Sequence, residues 1–151
     1  ERVVLAIPFV RVHQIQILPP LAETIWSALR TMLMGHYVVV HLIVEKAVEE
    51  LVAVEGESPL PVLTDGPAGV IYGVTEQSPK EQPHDVFSLL VYGRNARAYH
   101  MVPHEVKVRE AIEELDRLWP GFSKHVQTSH VYSYHPAAIA VWPAGRSPTA
   151  S

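Results

Sequence analysis

The run Tyr37-Val38-Val39-Val40-His41-Leu42-Ile43-Val44-Glu45 constrains this chain more than any other stretch. Side chains branched at Cβ are stiff at χ1 and suit a pleated, packed surface better than a helix. The run therefore predicts a central strand, which requires a sheet around it. It is too short to span a bilayer as a helix. A chain of 151 residues fits one domain and is long enough to bury a core of its own.

The thirteen prolines fall at element boundaries and divide the rest. Val3 to Ile7 predicts a buried strand ended by Pro8. Val10 to Ile17 alternates only in part and reads either as a weaker strand or as an irregular crossover. Pro19-Pro20 opens a helix with Ala22, Ile25, Trp26, Leu29 and Leu33 on one face, and Gly35 is its expected breaker. Glu55 to Pro59 makes a turn, Pro61 to Leu63 begins a short strand, and Asp65-Gly66-Pro67 turns the chain into Gly69 to Gly73. Ser78 to His84 is the expected surface loop, and Val86 to Tyr92 is a buried strand ended by Gly93. After Pro103, the residues Val108, Ala111, Ile112, Leu115 and Leu118 form one helical stripe closed by Pro120-Gly121. The charges from Glu105 to Arg117 read as its solvated face with local ion pairs. Val126 to Tyr134 is the last strand. The expected fold class is α+β, a mixed β-sheet with flanking helices.

Composition excludes several classes. A hydrophobic content of 48% with 19% charged residues argues against disorder. The net charge of −4, without a basic cluster, leaves no electrostatic footprint for nucleic acid. Neither terminus reads as a signal peptide or lipidation site, and no membrane span is expected. The absence of cysteine excludes a disulfide scaffold, a thiolate metal site and a cysteinyl link to a cofactor from this chain. His125, His130 and His135 are spaced by five residues, which in a continuous strand alternates faces, so no metal site is expected. No G-x-G-x-x-G turn is present to let backbone N–H groups approach a pyrophosphate. No catalytic grouping of nucleophile and base has a defensible spacing.

The stretch Tyr134-His135-Pro136-Ala137-Ala138-Ile139-Ala140-Val141-Trp142-Pro143-Ala144-Gly145-Arg146-Ser147-Pro148 resembles the run lining the flavin and substrate cavity of flavin-dependent amine and L-amino-acid oxidases. Val3 to Pro8, followed by Gln14-Ile15 and Leu18-Pro19-Pro20-Leu21, is similar to the segment entering their substrate domain. Leu63 to Pro67 with Ile71-Tyr72 resembles their hairpin toward the substrate. Leu89 to Arg97 and the helix after Pro103 resemble the next strand and two helices. The motifs occur in order along most of the chain.

The resemblance implies residues 1–142 as a portion of a substrate-binding domain, with 143–151 as an extended segment leading toward a missing FAD-binding part. It implies FAD as cofactor, held mainly by companion flavin-binding chains of the same precursor, and a small amine or amino acid as substrate. The chemistry implied is hydride transfer to flavin and reoxidation by dioxygen. Glu1 precedes the first apolar run directly, without an initiator Met, so the chain is expected to be cut from a longer polypeptide. A large apolar patch, poor solubility alone and a hetero-oligomer of processed pieces are expected with it.

For individual residues the resemblance implies substrate contacts at Tyr72, Gly73, Tyr134, Ala138 and Ile139, and cofactor contacts at Trp142, Arg146 and Val39. Ala138 stands where many relatives place an aromatic of the amine-holding cage; it either leaves room for a larger substrate or reflects a tightly packed strand. Tyr134 and Trp142 line the cavity or belong to the core. Arg146 meets a cofactor phosphate or is solvated. Tyr72 and Gly73 compete for one functional position, because a one-residue slip on a strand reverses the face. Val39 occupies the position of a lysine that holds a water near flavin N5 in relatives. His41, next on that face, either substitutes for it or is a core histidine. Two alternatives remain: a non-catalytic, oxidase-like ligand-binding scaffold, and an FAD-dependent desaturase-type oxidoreductase.

Overall fold

The computed structural model describes residues 3–73 and 83–141, with backbone alone for 134–138. The element order is a 3-10 turn (Phe9–Gln14), α1 (Glu23–Thr31), β1 (Leu33–Glu45), α2 (Val48–Val52), β2 (Val62–Leu63), β3 (Val70–Gly73), β4 (His84–Tyr92), α3 (Gly93–Tyr99), α4 (His104–Leu118), a second 3-10 turn (Phe122–His125) and β5 (Val126–Val141). The fold is α+β. The strands form one sheet in the order β2-β3-β4-β1-β5, so the β-branched run sits in an inner strand as expected. The chain divides into two compact units, residues 37–133 and residues 1–36 with 134–151.

The larger unit is built on a long antiparallel ladder between β1 and β4, from Tyr37 opposite Tyr92 to Glu45 opposite His84. β3 continues it antiparallel on the far side of β4, Val70 opposite Leu90 and Tyr72 opposite Ser88. Alternation then separates two faces. Val38, Val40, Leu42 and Val44 of β1, Phe87, Leu89 and Val91 of β4 and Ile71 of β3 are all buried in one core. The helices supply its other half through Val48 and Val52 of α2, Ala96 and Tyr99 of α3, and Ala111 and Leu115 of α4. Phe122 closes it, its ring centroid 5.1 Å from that of Phe87 at an edge-on 69°. Burying a side chain of this size contributes about 1.5–3 kcal/mol, and an edge-to-face pair adds roughly 0.5–1.5 kcal/mol.

The expected helix after Pro103 is α4, with Pro103 as its N-cap and Trp119 as its C-cap. Gly121 follows in the left-handed region at φ 98°. The apolar stripe holds at Ala111 and Leu115, whereas Leu118 is 41% exposed. The charged residues of α4 are not all solvated. Arg109 and Glu113 form an exposed pair at 3.8 Å, but Lys107 and Glu114 are buried. Lys107 donates to Ser133 Oγ of β5 at 2.9 Å. Glu114 pairs with Arg117 and lies against Gly66 of the β2–β3 turn.

In the smaller unit the sequence-based expectations are revised. Val3 to Ile7 is not a buried strand: it has no regular structure, and Val3 and Val4 are 85% and 87% exposed. An apolar run becomes a strand only when a sheet edge pairs with it, and no described strand does. Phe9–Gln14 resolves the ambiguous crossover as a 3-10 turn. The helix after the proline pair ends at Thr31, so Leu33 and Gly35 belong to β1. Gly35 is therefore no helix breaker; a Cβ there would lie 3.4 Å from Ile139 Cβ. No residue of α1 is buried. Its amphipathic stripe specifies a face that needs cover, and the described residues of this unit do not bury it. Among the described residues no helix is long and apolar enough to cross a membrane. The expected loop Ser78–His84 lies outside the described residues except for its last two positions, of which His84 begins β4.

Candidate functional site

The sheet face opposite the helical core carries an ordered set of side chains. Ser88 of β4 stands between Tyr72 of β3 and His41 of β1 in the two ladders. Ser88 is wholly buried, and a buried hydroxyl requires a partner. His41 Nδ1 supplies it at 2.7 Å. On the next strand, Tyr132 meets the His41 ring edge-on, centroids 5.5 Å apart. The His130 ring lies 4.4 Å beyond Tyr132. A polar row of Tyr72, Ser88, His41 and Tyr132 thus crosses four adjacent strands.

An apolar row runs beside it. Val39 is paired with Leu90, which is paired with Val70. Val39 and His41 share this face by alternation, and Val39 is buried. His41 titrates below the usual histidine range, first because burial disfavours its charged form and second because His130 is nearby. At neutral pH the row therefore presents a neutral imidazole.

The expected site residues fall into three groups. Tyr72 lies on the row, while Gly73, opposite Phe87, lies on the helix-covered face; the backbone thus separates the two by face. Val39 is on the same face as Tyr72. Ile139, in the smaller unit, is about half exposed and packs near Gly35. Tyr134 and Ala138 lie within β5, where only the backbone is described, and Trp142, Arg146 and residues 143–151 lie outside the described residues.

Sequence reasoning missed Ser88, Asp85, Lys107 and Glu114. A hydroxyl in the apolar run Phe87-Ser88-Leu89-Leu90 was the available signal for Ser88. Its pairing with His41 depends on a register spanning distant segments. Asp85, on the core face, is buried with its carboxyl raised above the usual range by burial and by the neighbouring Glu49. Among the described residues its Oδ2 meets no hydrogen-bond donor.

A cavity of about 630 Å3 lies elsewhere, between α4 and β5, with His104, Glu105, Arg109, Glu113 and His130 among its lining. It contains none of the substrate or cofactor contacts that the family resemblance implies. Its walls combine Val108 and Ile112 of α4 and Val131 of β5 with the exposed Arg109–Glu113 pair, and the polar row, which holds Tyr72 and lies beside Val39, is the better candidate site. Among the described residues no group of three or more His, Asp or Glu side chains is placed to hold a metal ion.

The pattern of the flavin containing amine oxidoreductase family matches residues 1–149. The chain belongs to that family. Among solved structures it is similar to cyclohexylamine oxidase from Brevibacterium oxydans IH-35A, with a TM-score of 0.70 and 14% identity. The match covers 86% of this chain and 28% of that oxidase, so this chain spans little more than a quarter of its length. At that identity the likeness concerns the fold. No curated protein matches the sequence.

A flavin dinucleotide needs a phosphate cradle, and the described residues offer none. The one strand-to-helix turn opened by a positive-φ glycine, Gly93, leads into the seven-residue α3 without further glycines to admit a pyrophosphate. The described part of this amine oxidoreductase chain does not fit the dinucleotide.

Proposed function

We propose that this chain forms the substrate-facing wall of an FAD-dependent amine or L-amino-acid oxidase, working with companion flavin-binding segments of the same precursor. The observation that carries the reading is the common face of Tyr72, His41 and Val39. Of the residues that the resemblance implies, Tyr72 and Val39 share this surface of the sheet, away from the helices, whereas Gly73 lies on the other face. A flavin supplied by the companion segments would accept hydride from the amine-bearing carbon. This chain's part is to exclude water with the apolar row and to orient the amine along the polar row.

Native mass spectrometry of the protein from its natural source, with its visible spectrum, tests this reading. A complex containing this chain, companion chains and oxidised flavin, absorbing near roughly 450 nm as the cofactor itself does, is the expected result. A lone, colourless species of this chain's mass would refute it.

A second reading, a ligand-binding scaffold without turnover, draws on Val39. An apolar, buried side chain there cannot hold a water for oxygen chemistry. Anaerobic reduction of the flavin by amines separates the two, because a scaffold leaves the flavin oxidised.

A further inference from the structure

We propose that Asp65–Gly66, in the connection between β2 and β3, is a covalent modification site at which the backbone is rerouted through the aspartate side chain. The modification needs no flavin and stands independently of the oxidase reading.

The chemistry is an intramolecular condensation followed by hydrolysis. The backbone nitrogen of Gly66 attacks Cγ of Asp65. An N–Cγ bond forms, the Cγ–OH bond breaks, and the N–H proton leaves with the hydroxyl as water, giving a five-membered succinimide. Water then adds back at one of the two ring carbonyls. Opening at Cγ restores aspartate. Opening at the main-chain carbonyl carbon leaves the chain running through Cβ and Cγ, with the α-carboxylate free, which is isoaspartate. Overall mass is unchanged, and nothing is oxidised or reduced.

The attack is favoured by a carboxyl that is not engaged, by a following N–H that is not held in a hydrogen bond, and by a following residue without a Cβ to crowd the ring. The chain has three aspartates, of which only Asp65 precedes a glycine. Asp65 is exposed. Among the described residues its carboxylate has no hydrogen-bond or ion-pair partner, and the Gly66 N–H meets no acceptor. The other two aspartates lack these features. Asp85 is buried in β4 and precedes the β-branched Val86. Asp116 lies within α4, accepts the Ser123 N–H at 2.8 Å and precedes Arg117.

The surroundings give the change a structural consequence. The Gly66 carbonyl accepts the Gly69 N–H at 3.3 Å, closing the turn into β3. The buried Glu114 of α4 lies so near Gly66 that a Cβ there would collide with its carboxylate. Gly69 is equally close to the Leu90 carbonyl of β4. A backbone lengthened by one methylene between residues 65 and 66 has little room on either side. Isomerisation therefore loosens the connection into β3, the strand that carries Tyr72.

The test uses the whole chain, aged at pH 6 and 37 °C in its folded state and, in parallel, in urea. Peptide mapping of the folded sample should show a second peptide spanning Asp65, of unchanged mass but different elution. That peptide should resist endoproteinase Asp-N at residue 65. It should also accept a methyl group from S-adenosylmethionine through an isoaspartyl carboxyl methyltransferase. Peptides spanning Asp85 and Asp116 should stay single over the same period. Asp65→Glu keeps the charge at an exposed position but would need a six-membered ring, and it should abolish the second peptide. Isomerisation in urea but not in the folded chain overturns the proposal, because the fold then protects the bond. Isoaspartate appearing first at Asp85 or Asp116 overturns it as well. The aged fraction, separated by chromatography, should melt below the parent chain, and an equal melting temperature overturns the loosening of β3.

Discussion

The ammonium of Lys107 lies 2.9 Å from Ser133 Oγ, joining the middle of the α4 first half to β5 from inside the core. A single hydroxyl compensates little of the cost of removing an ammonium from water. Burial accordingly lowers the Lys107 pKa from its ordinary 10.5. The unfolded chain then holds this proton more tightly than the folded one. Stability contributed by this site therefore rises with pH through the window beneath 10.5. Lys107→Met should remove that slope and leave stability at pH 7 unchanged or raised by about 1 kcal/mol. Urea denaturation at pH 7 and pH 9.5 measures both effects.

His41 gives a second pH dependence with the same sign. Its folded pKa lies below the ordinary 6.5, so the folded state resists protonation where the unfolded state accepts it. Stability is full above 6.5 and falls as pH drops beneath it, until the folded histidine also protonates. The difference in melting temperature between the parent chain and His41→Gln should therefore narrow or reverse from pH 7.5 to pH 5. A constant difference over that range would contradict the assignment.

Gly69 is required by both space and backbone. At φ +63° it approaches β4 so closely that a Cβ would stand 2.6 Å from the Leu90 carbonyl oxygen. Gly69→Ala should cost at least about 1–3 kcal/mol from the left-handed backbone alone, with the carbonyl contact added. Gly121, at φ +98°, has nothing within 4 Å of the same added atom. Gly121→Ala should show only the backbone cost, and thermal unfolding of the two variants separates the contributions.

Two leucines on one helix should differ sharply. Leu115 is wholly buried, while Leu118 is 41% exposed. Leu115→Ala should lose about 2–5 kcal/mol by transfer and cavity terms. Leu118→Ala should lose under about 1 kcal/mol, as a largely solvated side chain gives up little buried area. Guanidinium denaturation of both variants checks the depth of α4.

Elements whose packing partner lies nearby in sequence, or whose periodicity is strong, were legible from the residues. The β-branched run became an inner strand, and the stripe after Pro103 became α4. Val3 to Ile7 was misread because its composition matches a buried strand while pairing depends on a remote edge. Gly35 was misread because a glycine after an apolar helical stripe looks the same whether it ends a helix or admits a close neighbour. The buried Lys107 and Glu114 were hidden because helical alternation of charge describes an exposed face equally well. At the candidate site, Tyr72 and Val39 came from family resemblance. Ser88 and Tyr132 became visible only once register and strand order brought four segments together around His41.

The most direct measurement of the central claim is anaerobic titration of the flavin-containing protein with primary amines and L-amino acids, followed at the flavin absorption band. If this chain forms the substrate wall of an amine oxidoreductase, at least one of these substrates should bleach the oxidised flavin. Air should then restore the colour. A bound flavin that stays oxidised throughout the series would contradict the account and leave an oxidase-like scaffold.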